Sequence, residues 1–220
     1  MRPAVVFDLD GTVWDSAPGI ISCIEATLTH FDLPIPPHDE LLAHLGPPLM
    51  DMLAALGVAA DRLDEGRILY RRHYAEHGEF ECVPFEGMPE LLDALRADGH
   101  RLATATSKGR EATERMLDHF DLARRFDVVA AASMTATGHS KVEVIGEALA
   151  GLGHPRPALM VGDRRYDVEG GRHHGLTTIG VEWGYAPAGE LAEAGADHVV
   201  ADVAALGAVI GGYRPPAERN

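Results

Sequence analysis

Asp8 and Asp10 close the stretch Ala4-Val5-Val6-Phe7-Asp8-Leu9-Asp10 and are followed at once by Gly11 and Thr12. A short apolar run ahead of a glycine predicts a strand buried on both faces. Carboxylates belong at its carboxyl end, where open α/β sheets bind their ligands. Period-two alternation would aim Asp8 and Asp10 the same way, so their crowded charge calls for a cation between them. A second acidic group, Asp163 and Asp167 in Gly162-Asp163-Arg164-Arg165-Tyr166-Asp167, follows the apolar run Ala158–Val161. Spaced one helical turn apart, these two could add oxygen ligands to the same hard cation. Three or four carboxyl oxygens without a neighbouring Cys or His pairing suit Mg²⁺. Taken alone, the first pair reads equally well as a helix cap or a solvated turn, and the second reads more readily as a helix N-cap followed by a surface carboxylate.

Further polar residues fall at the ends of other apolar runs. Thr106, Ser107 and Lys108 follow the strand pattern that begins at Arg101, and a hydroxyl with backbone N–H groups at a strand tip opening a helix can hold a phosphate oxygen. Lys141 starts the helical pattern Lys141–Leu152 after Gly138-His139-Ser140, where a cation opposes the helix dipole unless it has another task. A nucleophilic carboxylate, a second acid, a hydroxyl, a lysine and a cation site on one sheet edge suit phosphoryl transfer through an aspartyl phosphate.

These residues need a scaffold that gathers them. Strand-type runs recur at Arg101–Thr106, Asp127–Ala131, Ala158–Gly162, Thr177–Val181 and His198–Ala201, separated by helical patterns at Pro89–Asp98, Glu111–His119, Lys141–Leu152, Val168–Gly175, Ala188–Ala194 and Val203–Ile210. That alternation predicts an α/β fold with a doubly wound, Rossmann-like parallel sheet. Residues 17–83 break the rhythm with helical patterns at Gly19–Phe31, Asp39–Leu45, Leu49–Leu56 and Asp61–His77 and no convincing strand. The expectation is a core of residues 1–16 and 84–220, with a small helical bundle, 17–83, inserted after the first strand as a cap. Arg214–Asn220 reads as a polar tail.

Composition narrows the partners. A formal net charge of −15 disfavours nucleic acid polymers and anionic membranes. No apolar stretch approaches a membrane span, and the first strand begins too early for a signal peptide. With 2 cysteines, Cys23 and Cys82, no disulfide framework is expected. The expectation is a cytoplasmic monomer or homodimer acting on a small phosphorylated metabolite.

The ordered set DLDGT, LATATSK, the Lys141 helix and VGDRRYD resembles the four motifs of the haloacid dehalogenase superfamily of hydrolases, over nearly the whole chain. The helical insertion resembles that superfamily's C1 cap. By that resemblance Asp8 is the nucleophile and a Mg²⁺ ligand. Asp10 is the acid/base and offers its backbone carbonyl to the metal. Thr106 binds the phosphoryl group, Lys141 steadies the nucleophile, Asp163 ligates Mg²⁺, and Asp167 supports it. Ser107 and Lys108 join Thr106 at the substrate, and Gly46 is similar to the cap loop that leans over the site, although a helix-ending turn explains it as well. The chain is most similar to phosphoglycolate phosphatases, while GDRRYDVEGG and YRRHYAEHGEF resemble a 5′-nucleotidase subgroup. The presence of Asp10 favours phosphate esters over haloacids. A phosphomutase would use the same core residues, and a phosphoacceptor signalling domain would share Asp8, Thr106 and Lys141.

Other signals have plainer readings. His73-Tyr74-Ala75-Glu76-His77 matches a zinc protease pattern by chance composition. His173 and His174 sit about 100° apart on a helix and cannot chelate one ion together. Gly170, Gly171 and Gly138 form no dinucleotide fingerprint. Trp14 and Trp183 are read as packing residues. Arg71, Arg72, Arg164 and Arg165 are surface charges, or else recognise a second anionic group on a substrate.

Overall fold

The computed structural model describes residues 2–132 and 140–214. Gly138, His139 and residues 215–220 of the tail therefore lie outside the described residues. In chain order the strands are β1 (Ala4–Phe7), β2 (Trp14–Asp15), β3 (Val83–Pro84), β4 (Leu102–Gly109), β5 (Val128–Ala132), β6 (Ala158–Gly162), β7 (Thr177–Val181) and β8 (His198–Val200). The helices are α1 (Ala17–His30), α2 (His38–Ala43), α3 (Leu49–Ala55), α4 (Leu63–Glu76), α5 (Met88–Ala97), α6 (Arg110–His119), α7 (Lys141–Gly151), α8 (Arg165–His173), α9 (Glu190–Glu193) and α10 (Val203–Gly212).

Six strands form one parallel sheet in the order β5-β4-β1-β6-β7-β8. Alternation along β1 serves both faces. Val5 and Phe7 join a core with Leu102, Leu159 and Val161 under α5 and α10. Ala4 and Val6 join Ala103, Met160 and Ile145 under α7. Each fully buried Val, Leu, Ile, Met or Phe among them contributes roughly 1.5–3 kcal/mol. Because β1 pairs with β4 on one side and β6 on the other, the chain reverses direction across the sheet at β1, and a crevice opens at the carboxyl ends of these three strands.

Helices α1 to α4 carry a separate core of Ile21, Ile24, Leu28, Leu41 and Leu53, with α4 packed on both α1 and α3. The chain leaves the sheet and returns through a two-stranded antiparallel ribbon, Trp14 opposite Pro84 and Asp15 opposite Val83. Just beyond the ribbon, Gly19 meets Gly78 backbone to backbone: a Cβ on Gly19 would lie 2.0 Å from the Gly78 carbonyl oxygen.

Three local expectations are corrected. No helix opens behind Thr106; β4 runs on to Gly109 with a register shift between Thr106 and Gly109, and α6 starts at Arg110. The extra residues form a bulge, which re-aims side chains at a strand end. The β2–β3 ribbon was not expected, since two-residue strands carry no periodicity. Helix α8 starts at Arg165 rather than Val168, which brings Asp167 into its first turn. Among the described residues no helix is long and apolar enough to cross a membrane.

Candidate active site

Asp8 leaves β1 at the chain reversal. Lys141, the first residue of α7, reaches back over the sheet, its Nζ 2.9 Å from Asp8 Oδ1, 2.8 Å from Asp167 Oδ1 and 3.0 Å from the Ala105 carbonyl, to which it donates. Its helix start is held by Ser140, whose side chain accepts from the Glu143 N–H while Glu143 accepts from the Ser140 N–H. The capping box offsets the cost of a cation at that end, and the other task for Lys141 is the pairing with two buried carboxylates.

Asp163 follows β6 and is fully buried. Its Oδ2 accepts from the Tyr185 N–H at 2.8 Å and its Oδ1 from Thr12 Oγ1 at 3.4 Å. Asp167, in the first turn of α8, accepts on Oδ2 from the Arg164 N–H at 3.0 Å. Asp8, Asp163 and Asp167 each bring a carboxylate oxygen within 4.8 Å of the others. Burial pushes the Asp8 carboxyl up to about 7; Lys141 pulls against it, and Asp167 and Asp10 add to it. Asp163 is raised well above the carboxylate range by burial and then by Asp167 and Asp8. Burial also works against the Lys141 charge, but Asp167 and Asp8 outweigh it and hold the ammonium on. Three crowded carboxylates against one lysine form a set of hard oxygen donors short of positive charge, and a divalent cation such as Mg²⁺ fits that chemistry.

Asp10 lies apart from this group, because β1 ends at Phe7 and alternation does not extend to it. Its Oδ1 accepts from Trp14 Nε1 at 2.8 Å and Ser16 Oγ at 2.6 Å, and pairs with Lys108 Nζ at 3.1 Å. The two carboxylates thus face different cations of the protein itself: Lys141 faces Asp8 and Lys108 faces Asp10. The bulge in β4 turns Lys108 this way, with Thr106 Oγ1 accepting from the Lys108 N–H at 3.1 Å. Lys108 also donates to Tyr74 Oη on α4 at 2.6 Å. Its burial disfavours the charge, yet Asp10 and Tyr74 raise it above the ordinary lysine range.

A cavity of about 330 Å³ is bounded by Asp8, Asp10, Thr106, Ser107 and Lys108 on the sheet side and by Gly46 on the helical side. The structure thus gathers Asp8, Asp10, Gly46, Thr106, Ser107, Lys108, Lys141, Asp163 and Asp167 around one crevice. Four supporting residues were not singled out for it from the sequence. Trp14 packs fully buried as expected, but its N–H also serves Asp10. Ser16 shares that task, and Tyr74 holds Lys108. Tyr185 donates its hydroxyl to Asp15 Oδ1 at 2.9 Å and accepts from the Ser16 and Ala17 N–H groups at 2.8 and 3.0 Å, while its own N–H holds Asp163. The only sequence signal for Trp14 and Ser16 is their place four and six residues past Asp10.

A family model described as haloacid dehalogenase-like hydrolase matches residues 5–181. The chain is 42% identical over 185 residues to the tyrosine-protein kinase PtkA of Mycobacterium tuberculosis, covering 84% of this chain and 63% of that protein. It is 33% identical over 210 residues to a 5′-nucleotidase of Pseudomonas aeruginosa, covering 94% and 95% of the two chains. The structure of a predicted phosphatase from Clostridium acetobutylicum superposes with a TM-score of 0.90 at 33% identity, over 96% of this chain and 98% of that one.

Proposed function

The chain belongs to the haloacid dehalogenase-like hydrolases, and from that premise we propose that it is a Mg²⁺-dependent phosphomonoesterase acting on a small soluble phosphometabolite. The observation that carries this reading is the convergence of Asp8, Asp163, Asp167 and Lys141 at the chain reversal of a parallel sheet. Asp8, Asp163 and Asp167 would hold Mg²⁺, whose charge when bound offsets that of the transferred phosphoryl group.

Asp8 attacks phosphorus, the ester oxygen leaves, and Asp10 gives that oxygen its proton. Asp10, now ionised, takes a proton from water as the water oxygen attacks the aspartyl phosphate, releasing phosphate and restoring both acids. All three described contacts of Asp10 fall on Oδ1, so Oδ2 is the oxygen left to carry the proton. Thr106 and Ser107 orient the phosphoryl oxygens, and Lys141 offsets their charge. Residues 17–83, with Gly46 at the rim, act as the cap that excludes water and chooses the substrate.

The substrate reading is phosphoglycolate or a similar small ester. The near full-length match to a 5′-nucleotidase supports nucleoside monophosphates as a second reading. The kinase name of the mycobacterial relative is not carried over, because that protein extends well beyond the matched part. The test is steady-state phosphate release from phosphoglycolate, nucleoside 5′-monophosphates, sugar phosphates and p-nitrophenyl phosphate, with Mg²⁺ or EDTA. Release that needs both Mg²⁺ and Asp8, falling by at least about 10³-fold in Asp8→Asn, is the expected result. Turnover retained by Asp8→Asn would sink the mechanism. A phospho-Asp8 protein without steady release would point to a mutase or a phosphoacceptor domain.

A further inference from the structure

Among the described residues five cations line the cavity, and four of them have a carboxylate partner. Lys141 pairs with Asp8 and Asp167, Lys108 with Asp10, Arg115 with Glu79, and Arg164 with Glu190. Arg71 has no carboxylate partner among the described residues, and its charged neighbour is Arg67. Its partial exposure lets water satisfy it.

Arg164 is different, because it is buried and only one edge of it is engaged. Nε donates to Glu190 Oε1 at 2.8 Å and Nη2 to Oε2 at 3.3 Å, while the same carboxylate accepts from the Arg165 N–H at 2.9 Å. With that edge taken, the planar guanidinium turns Nη1 the other way. Nη1 is sealed from solvent and has no acceptor among the described residues. An unmade bond on a buried donor costs about 1–3 kcal/mol, more on a charged group. Water cannot cancel that cost here. The residue packs under Gly46, whose φ of +108° only glycine adopts freely and whose Cβ, if present, would lie 2.9 Å from both Cγ and Nη1 of Arg164. A donor fixed in this way beside a ligand cavity finds its acceptor when an arriving ligand displaces the Gly46 backbone that covers it. The guanidinium charge left over on Arg71 makes an anionic oxygen a better complement to this wall than a hydroxyl.

We infer that Arg164 selects the substrate, donating from Nη1 to a second anionic group, a carboxylate or a distal phosphate, carried beside the phosphoester that Asp8 attacks. Glu190 is the positioning residue that holds the guanidinium in this orientation. The inference rests on the hydrolase reading above.

The test compares kcat/KM for phosphoglycolate and pyrophosphate with that for phenyl phosphate, which lacks a second anionic group. The intact protein prefers at least one of the two bis-anionic substrates, and the stronger one identifies carboxylate or phosphate. Arg164→Lys keeps a charge opposite Glu190 but loses the second arm, and it lowers that preference by about tenfold or more, mainly through KM. Glu190→Gln weakens the same preference in the same direction. A wild-type protein without the preference overturns the inference, as does an Arg164→Lys variant that loses all substrates by one factor, or a preference removed by Arg71→Gln but not by Arg164→Lys. Release from no substrate at all overturns the hydrolase reading and the inference with it. Release that ignores Arg164 overturns the inference alone.

Discussion

Asp8 is pulled two ways, and burial prevails over Lys141, so its carboxyl holds a proton up to about pH 7 in the metal-free protein. The ordinary aspartate value is 3.8, so above that pH the unfolded chain releases a proton that the folded chain keeps. The unfolded state then binds fewer protons, and stability falls as pH rises from about 4 to about 7, with Asp163 acting in the same direction. In EDTA the melting temperature should therefore drop between pH 5 and 7.5, and Mg²⁺ should raise it more at 7.5 than at 5. An equal Mg²⁺ effect at both values would show that the carboxylates do not form the cation site. These residues were legible because they stand at strand ends in a recurring type and order. Trp14 and Ser16 were not, since nothing in their types tells that a buried indole N–H and a hydroxyl will both turn onto Asp10. Arg164 was visible only as a charge with two possible readings; its buried free edge is a fact of packing.

The elements that periodicity can mark, the six sheet strands and the longer helices, were legible to within a few residues. Those it cannot mark were missed. Two-residue strands such as β2 and β3 contain no full period, and a bulge in β4 looks in sequence like the start of a helix. Both matter at the cavity, because the bulge aims Lys108 and the ribbon bounds the helical insertion. The ribbon is continued by the contact of α1 with the turn after α4, where Gly19 and Gly78 leave no room for a side chain. Gly19→Ala places a methyl 2.0 Å from the Gly78 carbonyl oxygen. The expected cost is about 1–3 kcal/mol of stability, read from urea unfolding, as the two segments are forced apart. A variant as stable as the parent would mean that this crossing is loose.

At the scale of the whole molecule, two apolar cores lie on opposite faces of the sheet and a third lies in the helical insertion, and each sulfhydryl is shut away from solvent. Burial pushes both the Cys23 and the Cys82 thiols up to about 12, so neither is a thiolate at neutral pH. Iodoacetamide at pH 8 should label neither in the folded protein and both in urea; rapid labelling of Cys82 in the folded state would reveal an opening near β3. The adjacency of β2 and β3 has a consequence for descent as well as for folding. Because the outgoing and returning chains are hydrogen-bonded neighbours at Trp14–Pro84 and Asp15–Val83, the intervening sequence is a cassette with a single socket. Any replacement whose two ends meet at one ribbon can be spliced there without rethreading the sheet. Under the proposed cap role, such a splice would exchange one lid, and with it one choice of substrate, for another while the groups at the strand ends stay as they are.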